Sequence, residues 1–254
     1  MLTTLDRLQT KHKLILLLGI ILLAAFFRFY RLDTLPPGDG YDQAWYGVDA
    51  LEILRGARPV YLPTNHGREV MFSYIVALFT ALLGANPFAI HVASALVGLL
   101  AVPAVFLMAE TMFADEDGWL REYGGLTAAL MVAVSYWDLQ WSRHGVRAIL
   151  VPLFTALIVY TLWRGLRTGS RGAFAGCGVC LGLSLYTYQA ARLLPVLVVL
   201  AFLLVRLDRQ KFRGATWQGF AIVVGVSLLV FAPLGLYVVQ HPASSTSASS
   251  RRWC

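Results

Sequence analysis

Apolar residues in this chain come in long unbroken runs and do not alternate with polar ones. The runs occupy residues 14–27, 87–108, 124–137, 149–163, 173–188, 193–205 and 218–239, each bounded by charged or turn-forming residues. Crossing a bilayer core takes about 20 helical residues, and lipid offers no partner to a free backbone N–H or C=O. Barrel strands would alternate between lipid and lumen, which these runs do not. The pattern predicts an all-α polytopic transmembrane bundle with seven crossings, several extending into their flanks. A further apolar piece, residues 70–84, is closed by Gly84-Ala85-Asn86-Pro87 and is shorter than a crossing.

Loop charge assigns that piece. If it stays on one side, Arg164, Arg167 and Arg171, with Arg206, Arg209, Lys211 and Arg213, share the side of Arg7, Lys11 and Lys13. That is the cytoplasmic enrichment of Lys and Arg that orients membrane proteins. Residues 70–84 are therefore read as a juxtamembrane helix, buried in protein or lying in the interface, with eight spans as the alternative. The basic N-terminus ahead of residues 14–27 is similar to a secretory signal, but no small-residue cleavage site follows it. Phe26-Phe27-Arg28-Phe29-Tyr30-Arg31 reads as an aromatic and basic belt, so the segment is expected to be an uncleaved anchor in the inner membrane with a cytoplasmic N-terminus. Residues 31–86, 138–148 and 189–192 and the tail then face the extracytoplasmic side. The acidic stretch 114–123 falls inside as a solvated turn.

Composition narrows the class. With 58 % hydrophobic and 14 % charged residues and a mean hydropathy of +0.65, a soluble enzyme is excluded. The net charge of +7 does not indicate nucleic acid, because the basic residues sit in short loops between apolar runs. Cys177 and Cys180 form a C-x-x-C inside an apolar helix with no second pair, which is packing and not a metal site. Residues 1–240 read as one transmembrane module. Residues 241–254, small, polar and Ser-rich, are expected to be a disordered tail and look like the ragged end of something longer.

The candidate chemistry collects in the first loop. The turn cluster Pro36-Pro37-Gly38-Asp39-Gly40 leads into a helical pattern from Asp42 to Arg55, stopped by Gly56. On that helix Asp42, Tyr46 and Asp49 recur at i, i+4 and i+7 and share a face. Asp42 is placed to take a proton; the plain alternative is that it only caps the helix. Arg55, Arg58 and Arg68 lie in the same loop, and Arg143, His144, Arg147 and Arg192 on the same predicted side. Arginine keeps its charge and binds phosphate with two parallel hydrogen bonds, so the group suits a phosphate or pyrophosphate; interfacial snorkelling accounts for any one of them. His66, His91 and His144 have no zinc spacing.

Asp42-Gln43-Ala44-Trp45-Tyr46, Ala50, Ile53-Leu54-Arg55-Gly56 and Gly67-Arg68-Glu69-Val70-Met71-Phe72-Ser73-Tyr74, following an N-terminal anchor, resemble the C-type membrane glycosyltransferases. The nearest groups are the protein O-mannosyltransferases and the aminoarabinose lipid A transferases, and the resemblance covers roughly residues 1–240. It implies a polyprenyl-phosphate sugar donor in the membrane lipid, a hydroxyl acceptor that the sequence does not name, and inverting transfer with Asp42 as general base. No cofactor is required, and a divalent metal is compatible. Arg55, Arg58, Arg68, Arg147 and Arg192 become the candidates for holding the lipid phosphate, with Tyr46, Asp49 and Glu69 completing the substrate-binding set. This chain departs from the pattern where Gln43 replaces the usual Glu, and at residues 142–147, which lack a closing aspartate. Such enzymes run to several hundred residues, so this chain would be the N-terminal part. A non-catalytic transporter or binding protein for polyprenyl-linked sugars, or an inactive fragment, is the alternative.

Overall fold

Helix α4 (Pro87–Met112) is the central post of the bundle. Asn86 caps it by accepting from the Ala89 N–H at 3.1 Å, and Pro87 occupies the first position, where a missing N–H costs nothing. The computed structural model describes residues 4–35, 38, 40–63, 67–207 and 217–241. The expectations for His66, for Arg209, Lys211 and Arg213 and for the tail beyond His241 lie outside the described residues.

Before α4 come α1 (Thr4–Phe29), α2 (Tyr41–Leu54), the paired strands β1 (Tyr61–Leu62) and β2 (Arg68–Glu69), and α3 (Met71–Leu83). After it follow α5 (Trp119–Val134), α6 (Tyr136–His144), a 3-10 turn at Arg147–Ile149, α7 (Leu150–Thr168), α8 (Arg171–Ser184), a 3-10 turn at Gln189–Leu193, α9 (Leu194–Leu207) and α10 (Trp217–Gln240). The expected all-α bundle is what the chain forms. Three apolar clusters hold it together. Tyr46, Phe72, Val76, Ile90 and Phe154 tie α2 and α3 to α4 and α7; Ala24, Val102 and Ala129 join α1, α4 and α5; Leu162, Phe174, Val198 and Val223 join α7 to α10.

Among the described residues, four segments are long and apolar enough to cross a membrane: Lys11–Phe29, Pro87–Met112, Arg147–Thr168 and Trp217–Gln240. Their burial separates their roles. The α4 segment is 56 % buried and those of α1 and α10 only 11 %, so α4 is enclosed by protein while α1 and α10 turn apolar side chains outward, as lipid requires. The other three expected crossings are shorter helices: α5 has 16 residues and α8 and α9 have 14 each. The run at 124–137 is interrupted at Ser135, where the backbone turns extended and α6 begins.

Contacts fix the direction of each helix. At one end, Lys13 meets Glu110 at 3.2 Å and the Arg121 carbonyl at 3.2 Å, and Arg167 reaches Asp115 and the Thr111 carbonyl. At the other end, α2, α6, the two 3-10 turns and residues 28–35 interlock. The chain passes between these ends along α1, α4, α5, α7, α8, α9 and α10. Helix α3 stays at the second end: the Met71 N–H donates to the Tyr186 carbonyl at 3.1 Å, and its last turn flanks a cavity beside α2. The reading of residues 70–84 as a non-crossing helix agrees with this placement.

One expectation is overturned. Arg28 does not belong to an outward belt; it is fully buried and paired with Asp138 of α6. Its guanidinium also donates to the carbonyls of Ala24 and Ala133 at 3.2 Å and Val132 at 3.3 Å, so it closes the ends of α1 and α5 together. The cluster fits because α4 presents Gly98 there: an added Cβ would collide with Ser142 Oγ and come within 3.3 Å of Arg28 Nε. Ser142 in turn donates to the Asp138 carbonyl at 2.6 Å.

Candidate functional site

Helix α2 presents two different carboxylates. Gly40, with an extended backbone, is its N-cap, so Asp42 is not the cap that its place after a turn allowed. It lies in the first turn, where unpaired N–H groups and the helix dipole favour negative charge, and it is exposed. Two turns on, Asp49 points inward and is buried. Arg68 grips it with both arms, Nη1 at 2.8 Å from Oδ2 and Nη2 at 3.2 Å from Oδ1, and Ser73 donates to Oδ2 at 3.2 Å. Burial pushes the Asp49 carboxyl above its ordinary range, against the opposing pull of Arg68 and Ser73. The Arg68 guanidinium lies 5.6 Å from the ring centres of both Trp45 and Tyr46.

Strand geometry sends the neighbouring residue elsewhere. Strands β1 and β2 pair antiparallel, with Leu62 opposite Arg68 and Tyr61 opposite Glu69. Successive strand residues point to opposite faces, so Arg68 turns to α2 while Glu69 turns to the 3-10 turns. Gly67, just before β2, has φ +80 and lies against the Tyr61 hydroxyl, where any side chain would collide. Glu69 receives Arg147 at 3.1 Å and Arg192 at 3.2 Å. The Arg147 guanidinium also lies over the Tyr188 ring, 5.4 Å from its centre.

Tyr46 joins the two groups. It is buried, edge-on to Phe72 with ring centres 5.0 Å apart, and hydrogen-bonded to the Arg147 backbone. Burial pushes its phenol up to about 12, with Arg147 pulling it down and the nearby Asp42 charge adding to the rise. The phenol therefore keeps its proton at any physiological pH. Gln43 supplies the second tie: its amide donates to the His144 carbonyl at 2.6 Å. A glutamate there would set acceptor against acceptor.

Of the residues singled out in the sequence, Tyr46, Asp49, Arg68, Glu69, Arg147 and Arg192 form one connected group, and Asp42 stands over Tyr46 at its exposed edge. Arg55 and Arg58 are not brought in. Arg55 is the exposed C-cap of α2, and Arg58 donates to the Ile53 and Ala57 carbonyls at 3.1 and 2.8 Å. Arg143 is also spent elsewhere: it donates to the carbonyls of Phe27, Arg28, Tyr30 and Leu35 at 2.6, 3.1, 2.8 and 3.1 Å and so caps α1. His144 bonds the Gln140 carbonyl at 3.0 Å and His91 the Leu32 carbonyl at 3.4 Å. Among the described residues no three His, Cys, Asp or Glu side chains gather as a metal site.

Two apolar hollows flank the group. One of about 320 Å³ lies between α2, the end of α3 and the start of α4, with Gln43, Gly47, Leu51 and Ile90 in its walls. The other, about 490 Å³, is lined by Trp137, Trp141, Ile149, Pro152 and Tyr188, so the ring that carries Arg147 on its face also forms its wall. Ser73 and Tyr188 were not singled out as site residues; Tyr188 lies in the turn before Arg192, and nothing in spacing alone marks Ser73.

Residues 65–237 match the family of dolichyl-phosphate-mannose-protein mannosyltransferases. That stretch is most of the chain and contains Arg68, Glu69, Arg147 and Arg192. The chain belongs to this family. It is also 30 % identical, over 236 residues, to the undecaprenyl phosphate-alpha-4-amino-4-deoxy-L-arabinose arabinosyl transferase of Pseudomonas paraeruginosa, a match covering 88 % of this chain and 41 % of that protein. So little of the chain falls outside the match that α2, with Asp42, lies within it. This mannosyltransferase-family chain spans less than half the length of that relative. It is a multi-pass membrane protein, as its apolar helices require.

Proposed function

We propose that this chain carries the donor-handling site of a membrane glycosyltransferase that moves a sugar from a polyprenyl phosphate to a hydroxyl acceptor on the extracytoplasmic face. The observation that carries the reading is the exposed carboxylate of Asp42 close to Tyr46, whose phenol is also held by the Arg147 backbone, while Arg147 is joined to Arg192 through Glu69. A base and a phosphate holder are thereby separated by one buried side chain. The family and the printed name of the relative both speak of a lipid-phosphate sugar as donor.

In the proposed step the acceptor oxygen attacks the anomeric carbon and passes its proton to an Asp42 oxygen. The bond from that carbon to the phosphate oxygen breaks, and its electron pair leaves with the phosphate. A carboxylate is a far weaker base than an alkoxide, so proton transfer follows the positive charge that develops at carbon. Arg147 and Arg192 meet the charge growing on the leaving phosphate, with two-point hydrogen bonding that lysine cannot supply. The lipid chain would run along the hollow lined by Trp137, Trp141 and Tyr188. Asp49, Arg68 and Ser73 form the floor that holds α2 in register and do not meet the reacting atoms.

The test is side-specific labelling. In a background lacking Cys177, Cys180 and Cys254, Asp42→Cys is expected to react with a membrane-impermeant maleimide from outside intact cells, and added polyprenyl phosphate is expected to slow the reaction. Labelling only after the cells are opened would place the site on the wrong side and end the reading.

A further inference from the structure

The ion pairs at this site are not balanced in the same way. Asp49 faces a single guanidinium, that of Arg68, with the Ser73 hydroxyl donating to Oδ2. Glu69 instead holds two guanidiniums, so the trio of Glu69, Arg147 and Arg192 keeps one net positive charge. Its members also differ in freedom. Glu69 is 3 % exposed and Arg147 13 %, the latter further held over Tyr188, whereas Arg192 is 66 % exposed. Arg192 can therefore leave Glu69 for a ligand and return, and Glu69 remains as a fixed negative charge behind the pair.

That charge matters because the two lipids the site would handle differ in charge. Resting on the reading proposed above, the incoming donor is a phosphodiester with one ionisable oxygen and a single negative charge. Transfer breaks the sugar–oxygen bond and leaves its electron pair on the phosphate, so the product is a phosphomonoester carrying about −1.5 to −2 near neutral pH. Two unopposed arginines would match the product better than the donor and hold it in the site.

We propose that Glu69 sets the site's preference between these two lipids: by cancelling one of the two arginine charges it matches the site to the singly charged diester and lets the doubly charged monoester leave. Glu69 is thus a specificity-determining residue for donor against product, acting through Arg147 and Arg192. At the distances of the trio, one unit of charge is enough to change an affinity tenfold or more even at an effective dielectric constant of about 20.

The experiment measures binding of the purified chain, in lipid nanodiscs, to a polyprenyl phosphate and to its monomethyl diester, which has no sugar to transfer. Glu69→Gln is expected to tighten monoester binding by roughly tenfold or more and diester binding by less than about threefold at pH 7.5. The excess should shrink at pH 5.5, because the monoester's second ionisation lies near pH 6. Glu69→Asp should keep the original ratio. Arg192→Gln, at a side chain 66 % exposed, should cost the monoester more than the diester, and combining it with Glu69→Gln should restore the original ratio. Equal changes for both lipids, or a ratio indifferent to pH, would overturn the proposal and leave Glu69 a scaffold residue. A wild-type chain that binds neither lipid overturns the phosphate reading itself, which separates the two failures. Should Glu69→Gln not fold, an equal loss of both lipids in Arg192→Gln alone overturns the proposal.

Discussion

Asp42→Asn is expected to reduce sugar transfer by roughly 10²–10⁴-fold, the range that a positioned general base contributes. The amide is nearly the same size as the carboxylate but cannot take the acceptor's proton. Asp42 is exposed in the first turn of α2, so the substitution removes a favourable dipole interaction and leaves the buried pairs of the site untouched. Expression, membrane insertion and donor binding should stay close to wild type, and the loss should fall on turnover. Initial rates at saturating donor, set beside donor affinity, check this. A large change in affinity with turnover preserved would mean that Asp42 holds the donor instead of moving the proton.

Arg28→Met is expected to destabilise the chain by about 3–5 kcal/mol, the cost of leaving a buried partner charge uncompensated. Asp138 would then be a buried carboxylate without its guanidinium, and burial already raises it above its ordinary range against the pull of Arg28 and Ser142. The carbonyls of Ala24 in α1 and of Val132 and Ala133 at the end of α5 would lose the Arg28 donor as well. The double variant Arg28→Met with Asp138→Leu removes both charges and should recover part of the loss, because an apolar pair can replace a buried ion pair at little cost. Thermal unfolding in detergent reads both variants. If the single variant melts like wild type, the pair is not buried as described.

How much of this could be read from residues alone depended on distance along the chain. The all-α class followed from uniformly apolar runs, and α2 begins and ends within one residue of the helix drawn from its turn cluster and glycine stop. Helix α3 was legible as an apolar element shorter than a crossing, and it has 13 residues. Arg28 was not legible. Its aromatic neighbours mimic an interfacial belt, and its partner Asp138 lies 110 residues away. Arg143 looked like part of a phosphate-binding group for the same reason: the four carbonyls it serves sit in the last turn of α1 and the residues just after it, more than 100 residues earlier. Arg55 and Arg58 shared the right side and charge, but the end of α2 points them away from the group. Spacing placed Asp42, Tyr46 and Asp49 on one face, yet only the hairpin of β1 and β2 explains why Arg68 joins Asp49 while Glu69 joins the arginines of two distant turns.

The most direct measurement of the central claim follows a polyprenyl-phosphate sugar labelled in both the sugar and the lipid, incubated with membranes that hold this chain and with membranes that lack it. The account predicts that, with the chain present, label leaves the lipid, that polyprenyl phosphate appears in equal amount, and that neither occurs with Asp42→Asn. Donor that is recovered intact in both preparations, or transfer that continues with Asp42→Asn, would contradict it.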